Sequence, residues 1–469
     1  MGLLRQVKEV RRVRDWHSES FWLSTLAEEL SPRSELVGQN HADVVIVGAG
    51  YTGLWTAYYL LKNQPNLRVI LCEAGISGIG ASGRNGGWCM GMAEGVDTLL
   101  EDPKTREPGL RLTRALFETP NEIERVMDRH GIDGHFKKGG VLSLATLPSH
   151  EEELHARLSK YAEWGIEEEH YRWLPKSELN DRLRSPSATG ALYSPHVAAV
   201  HPANLVRGLA EVVESRGANI FELSPVCEIE PGCVKTQHGQ VHADWVVLAT
   251  EGYTPSIPGR KRRLAPIHSM MVATEPLPES LWDDIGLSQR ETFGGSERIT
   301  TYGQRTADGR IAFGSRGLYY YGSKIREKFS DQDPLFEQVR LSLVSILPQL
   351  KDIKITHRWG GALGFSRNVQ PAVGVDAQSR LAFAGGYMGE GVGASNLMGR
   401  ILTDLLNERE TPLTSLPWVA PDFPNWELEP FRWLGVTGVR TFLEVADRRE
   451  ASGKKANRLF EFLTNKFYS

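Results

Sequence analysis

Two hydrophobic periods alternate along this chain of 469 residues. Val44–Val47 is an unbroken run of β-branched residues, the pattern of a parallel strand buried on both faces. Leu54, Ala57, Tyr58 and Leu61 then recur at helical spacing, and LRVILCE at 67–73 predicts a second strand. Residues 201–230 predict a helix striped by Leu205, Leu209, Val212 and Val213, followed by a strand. VHADWVVLATEGYT, 241–254, predicts another strand, and 381–384 one more that runs through glycines into a helix. ERITTYGQRTADGRIAFGSRG alternates as a hairpin about an Asp308-Gly309 turn.

Between the first strand and the first helix lie Gly48, Ala49, Gly50, Tyr51, Thr52 and Gly53. The spacing is that of a dinucleotide loop. Gly48 makes the tight turn, Gly50 lets backbone approach a pyrophosphate, and Gly53 lets the helix pack on the strand. The helix N-terminus offers unpaired N–H groups and a positive dipole end to the phosphates. Glu73 ends the second strand at the distance expected of a ribose-binding carboxylate. The chain then reads AGISGIGASGRNGGW instead of an apolar crossover helix, which favours a flavin over a nicotinamide nucleotide. Ser82, Arg84, Asn85, Gly86 and Gly87 are expected to meet the pyrophosphate or the edge of the flavin ring. Ala249, Thr250 and Gly252 return a later strand to the same site, so the nucleotide domain is built from separated pieces.

Charge changes the picture only by exclusion. A formal net charge of −4 gives no reason to expect nucleic acid. Cys72, Cys89, Cys227 and Cys233 form no CxxC pair and read as reduced thiols of a cytoplasmic protein. No apolar run approaches a membrane span. The basic start, MGLLRQVKEVRRVRDW, has no apolar region behind it and is expected to be a solvated helix face. No metal-ligand cluster and no Ser/His/Asp set is evident.

GAGYTG, ASGRNGG, HPANLVRGL, VVLATEGYT, TADGRIAFGSRG, RWGG and GYMGEGVGASNLMG together resemble the FAD-dependent amine and amino-acid oxidases of the D-amino-acid oxidase and sarcosine oxidase type, over roughly residues 40–410. Within that group the chain is most similar to bacterial γ-glutamylputrescine oxidase-like proteins. The resemblance implies an α/β fold, with a discontinuous Rossmann-like FAD-binding domain at 40–90, 196–256 and 356–411. It also implies an α+β substrate domain at 91–195 and 257–355, whose antiparallel sheet lies over the flavin. Residues 1–39 and 412–469 flank these as an N-terminal and a helical C-terminal extension.

The same resemblance places Ala74 and Val226 with the nucleotide, and Gly361, Gly389, Glu390, Gly391, Val392 and Gly393 against the ring. A helix N-terminus aimed at the ring would stabilise the negative charge of the reduced flavin, by dipole effects on the order of 0.3–2 kcal/mol. Glu390 opposes that unless its side chain points away. No cysteine stands in the RWGG segment and Trp88 occupies the position of another attachment residue, so the FAD is expected to be non-covalent, with Cys89 the neighbour to watch.

Tyr302, Arg305 and Arg316 are the candidates to face the substrate from the sheet, with arginine suited to a carboxylate or phosphonate. Trp88, Tyr387 and Trp359 are candidates to wall an amine pocket. The implied reaction takes a hydride from the carbon beside a neutral amine, and the imine hydrolyses to an aldehyde or ketone. O2 or another acceptor reoxidises the cofactor, and Ala312 stands where such oxidases carry an oxygen-assisting lysine. A nicotinamide dehydrogenase and a flavin-carrying subunit with little catalysis remain the alternatives. The C-terminal extension is free to pack on the body, make a homodimer contact or meet a partner, with packing favoured.

Overall fold

The computed structural model describes residues 14–420 and 422–453. The basic start up to residue 13, and a second C-terminal helix expected after Gly453, lie outside them.

A six-stranded sheet forms the nucleotide half, in the order Ala372–Asp376, Leu381–Gly385, Trp245–Leu248, Val44–Val47, Val69–Cys72, Asn219–Phe221. Every pairing is parallel except the hairpin at the 372–385 edge. The register sets Trp245 beside Val44 and Val44 beside Val69, so the strand ends that carry Gly48, Glu73 and Ala249 lie side by side. All four residues of Val44–Val47 are buried, as a strand covered on both faces requires. Helices Tyr51–Asn63, Pro202–Ser215 and Gly391–Leu406 supply apolar faces to one cluster with this sheet. The first and last of these touch backbone to backbone: a Cβ on Gly399 would lie 2.8 Å from the Cβ of Trp55.

The other half is an eight-stranded sheet, in the order Ile355–Phe365, Ala265–Thr274, Ile311–Tyr319, Thr301–Arg305, Thr292–Gly295, Val141–Ala145, Gly190–Ser194, Arg172–Pro175. It is antiparallel apart from the pairing of Thr292–Gly295 with Val141–Ala145. The Asp308-Gly309 hairpin forms as expected, with Gly309 at φ +76°. One boundary needs correction. Strand Ile355–Phe365 pairs along its whole length with Ala265–Thr274, so it belongs to the substrate sheet and not to a nucleotide segment beginning at 356.

The flanking segments are built into the body. Trp16, Phe21, Trp22 and Leu23 are buried with Trp359 and Met271, and strand Gly38–His41 pairs with Gly239–His242 in a small four-stranded sheet. At the other end, helix Phe431–Ala451 lies on the substrate sheet. Arg440 donates to the Gly317 carbonyl at 2.6 Å, and Asp447 accepts from the N–H groups of Arg298 and Ile299. No helix among the described residues is long and apolar enough to cross a membrane.

Candidate functional site

Two cavities meet between the halves. The smaller, about 340 Å³, is a groove along the ends of the parallel strands. The larger, about 780 Å³, lies under the eight-stranded sheet. Ala81, Asn85, Leu363 and Gly389 line both.

The groove is shaped by glycines. Gly48 has φ +106°, and a Cβ there would lie 2.6 Å from the Ala249 carbonyl oxygen. A Cβ on Gly53 would lie 2.0 Å from the Gly48 oxygen, so helix Tyr51–Asn63 seats directly on the turn that precedes it. Gly50 caps that helix without a side chain, and the Ser82 hydroxyl accepts from the Tyr51 N–H at 2.9 Å, so an anion would meet this hydroxyl at the helix end. The Glu73 carboxylate accepts from Ala49 and Gly75, each at 2.9 Å, and burial pushes its proton affinity up. Ala74, Ser82, Val226, Ala249, Thr250 and Gly252 complete the wall. A helix end backed by the Ser82 hydroxyl, a close-approach glycine and a carboxylate at ribose distance fit a dinucleotide that runs along the groove toward Gly389.

There the second glycine loop begins its helix. Glu251 fixes this loop: its carboxylate accepts from Gly386 and Tyr387, each at 3.1 Å, and from Gly364 of the substrate sheet at 3.3 Å. Burial pushes Glu251 up to about 7 against those three donors. Gly391 and Val392 line the groove, and Gly389 stands where it opens into the larger cavity. Glu390 turns away from the groove into that cavity, where it accepts from the backbone N–H of Glu94.

Tyr302, Trp88 and Arg316 line the larger cavity, as expected. The Tyr302 ring lies over Gly86 and Gly314, where an added Cβ would meet it at 2.6 Å, and its hydroxyl bonds Ser269. Trp88 meets Tyr302 edge to face with ring centroids 6.0 Å apart, and donates to the Gly303 carbonyl at 3.1 Å. Burial pushes the Tyr302 phenol up to about 12. Arg316 pairs with Glu94 at 2.6 Å, and its charge pulls the Glu94 carboxyl down. Gly361 lies on the same wall.

Several expectations are overturned. The Arg84 guanidinium does not serve an anion: it pairs with buried Glu19 at 2.9 Å and donates to the carbonyls of Ile79, Glu327 and Gly360. Asn85 is not among the overturned expectations: it lines both cavities, while its side chain also braces its own loop, donating to Ala81 and Ser82 and accepting from Gly87. Tyr387 walls the groove instead of an amine pocket, its hydroxyl 2.9 Å from that of Thr52. Arg305 lies 4.0 Å over the Trp282 ring, on neither cavity. A Cβ on Gly393 would meet the Met90 carbonyl oxygen at 1.9 Å, so that glycine serves helix packing. Gly87 sits against Gln304 in the same way. Ala312 is buried with Met271, Ala273 and Trp359, and faces neither cavity. Trp359 is core, its indole donating to the Arg84 carbonyl. Cys89 is fully buried and lines neither cavity.

Glu251, Glu94 and Glu19 were not anticipated. Glu251 stands inside the AT-x-G stretch, but its donors lie more than a hundred residues away. Glu94 follows no motif, and only the fold brings it to Arg316. Glu19 sits beyond the reach of any local pattern.

A nucleotide groove opening at a helix N-terminus into a roofed cavity is the arrangement of a flavin-dependent oxidoreductase. The chain belongs to the DAO family of FAD dependent oxidoreductases, whose model matches residues 43–405, and the protein is therefore an FAD-binding enzyme of that family. It is 29% identical over 415 residues to the γ-glutamylputrescine oxidoreductase of Escherichia coli K12, covering 86% of this chain and 92% of that one. It is 29% identical over 378 residues to a probable oxidoreductase, OrdL, of Haemophilus influenzae, covering 78% and 83%. Among solved structures, glycine oxidase from Geobacillus kaustophilus shares the fold with a TM-score of 0.65 at 23% identity, over 79% of this chain and 96% of that one.

Proposed function

We propose that the enzyme oxidises the C–N bond of an extended primary or secondary amine. The product imine hydrolyses to an aldehyde or ketone. Bound FAD supplies the two-electron oxidation. This chain's residues position the substrate carbon beside Gly389, exclude water, and hold the amine nitrogen.

The observation that carries the reading is the larger cavity. At about 780 Å³ it has room beside Gly389 for the flavin ring and, beyond it, for an amine larger than glycine. It presents Glu94 and Glu390 beside the junction where the two cavities meet. A γ-glutamylputrescine-like amine suits that length better than a small N-methyl amino acid or an aminophosphonate. Arg316 is held by Glu94, which disfavours it as the anchor of a dianionic phosphonate. The Cys89 thiol is fully buried and lines neither cavity, which supports a non-covalent FAD.

The test begins with the visible spectrum before and after acid precipitation. A flavin spectrum that moves to the supernatant is expected. Anaerobic bleaching is then followed with γ-glutamylputrescine, putrescine, sarcosine, glycine and 2-aminoethylphosphonate. Bleaching by the longest amine, at the lowest concentration, is expected. Bleaching by glycine or sarcosine alone would overturn the extended-substrate reading. Reoxidation by O2 against an artificial acceptor then identifies the electron acceptor, with H2O2 formed only in the first case.

A further inference from the structure

We infer that Glu390 takes the proton an incoming alkylammonium must lose, while Glu94, held by Arg316, helps to keep the nitrogen in place. This rests on the amine reading above and assigns that site its proton acceptor.

Glu390 stands at the start of helix Gly391–Leu406, one residue after Gly389, where the two cavities join. Its Oε2 accepts from the Glu94 N–H, and among the described residues nothing hydrogen-bonds its Oε1. The residue keeps accessible surface and lines the cavity, so the carboxyl opens on the space a substrate would occupy. No lysine or arginine among the described residues forms an ion pair with it, whereas Glu94 has Arg316 at 2.6 Å. The two carboxyls are therefore unlike. One is compensated and stays charged; the other lacks a cation, which an ammonium would supply.

The groups facing Glu390 come from four directions. Glu94 and Asp97 lie on the segment entering helix Val96–Glu101, and Arg316 on strand Ile311–Tyr319. Tyr171 faces it from before strand Arg172–Pro175. Arg157 of helix Pro148–Glu163 acts on Glu94 from behind. Burial, then the charge of Glu94, raises Glu390 to about 8, and Arg316 offsets this only in part, so in the empty site the accepting carboxylate forms as pH rises through about 8.

The step balances without a further reactant. R–CH2–NH3⁺ and the Glu390 carboxylate give R–CH2–NH2 and the Glu390 carboxylic acid. An N–H bond breaks and an O–H bond forms, and two charges are replaced by two neutral groups in a closed cavity. The nitrogen lone pair that this frees is what oxidation at the adjacent carbon requires. An alkylammonium has a pKa near 10 in water, so at neutral pH a site without an acceptor would have to wait for the rare neutral amine.

The test uses the FAD-loaded wild type with Glu390→Gln and Glu390→Asp. Glutamine keeps the volume and an oxygen for the Glu94 N–H. The rate of anaerobic flavin bleaching by the best amine is followed from pH 6 to 10. In Glu390→Gln the rate is expected to fall about 10²-fold or more at pH 7 and to recover toward pH 10, while Glu390→Asp keeps a wild-type-like profile at reduced rate. A second readout needs no turnover: the Kd of tert-butylamine, which has no hydrogen on its α-carbon, read from the flavin absorbance. In the Gln variant this Kd is expected to tighten about tenfold per pH unit all the way up to the amine pKa, and in wild type only up to about pH 8, levelling off between there and the amine pKa. Unchanged profiles in an FAD-loaded Glu390→Gln would overturn the inference. If that variant does not hold FAD, an aspartate variant with the pH dependence of the uncatalysed amine overturns it equally. A wild type that no amine bleaches would instead sink the amine reading itself.

Discussion

The two glycine-rich loops solve one problem in two ways. Each delivers a helix end to the same groove, and each is held by a half-buried carboxylate that accepts backbone N–H groups. At the first loop the carboxylate is Glu73, from the next strand in the chain, accepting from Ala49 and Gly75. At the second it is Glu251, which reaches Gly386, Tyr387 and Gly364 and so ties three chain segments together. The first arrangement is local and positions only the nucleotide. The second couples the nucleotide groove to the substrate sheet, because Gly364 belongs to strand Ile355–Phe365. The second helix end is thus tied to the roof of the cavity by this side chain together with the hydrogen bond that the Met388 N–H donates to the Gly364 carbonyl at 3.2 Å.

The sharpest way to break this comparison is at the backbone contact that seats the first helix. In Gly53→Ala the new Cβ would sit 2.0 Å from the Gly48 oxygen, a backbone atom that cannot move without opening the turn. Little folded, FAD-loaded protein is expected, measured as the ratio of flavin to protein absorbance after purification. Near-normal loading would show that the first helix can shift without losing the nucleotide.

A smaller effect separates the two anchors. Glu251→Ala leaves three N–H groups without their acceptor, at a cost on the order of 3 kcal/mol, and loosens both halves. Glu73→Ala leaves two, and is expected to weaken FAD binding without changing the Kd of a substrate-site amine measured at saturating FAD. Thermal unfolding of the two variants, with that Kd, checks the distinction. If Glu251→Ala alters FAD affinity alone, the coupling between the halves is wrong.

This difference also explains what could be read in advance. The first loop was legible because its parts lie within one strand–turn–helix–strand unit, where spacing carries the geometry. The five parallel strands of the six-stranded sheet and the hairpin of 301–305 with 311–319 were legible from pattern, whereas the edge strand Ala372–Asp376 was not. Arg84 was misjudged because an arginine in a glycine-rich loop suggests an anion, and nothing local announces Glu19 as its partner. Arg305 shares a strand with Tyr302, yet it lies over Trp282, on neither cavity. Packing on the body was favoured for the C-terminal helix from its sequence, and nothing in that sequence announces that its Leu443 lines the larger cavity. Contacts made only by the folded chain leave no periodic trace.

The smallest expected effect is in the pH dependence of the second anchor. Burial raises Glu251 from the ordinary carboxylate range to about 7 in the folded protein. A group whose folded pKa is raised binds more protons in the native state than in the unfolded one between those values. Its contribution to stability is therefore fully present below about pH 4.5 and is lost as pH rises through about 7. Glu251→Gln, which does not titrate, should remove that slope. The difference in unfolding free energy between wild type and Glu251→Gln is thus expected to shift in favour of the variant from pH 5 to pH 8, by about 1–3 kcal/mol. Denaturant unfolding of the FAD-loaded proteins at each pH measures it. A difference that stays flat across the window would mean that the three N–H donors keep Glu251 ionised throughout. The second loop would then be held by a permanent charge, as strongly at pH 5 as at pH 8.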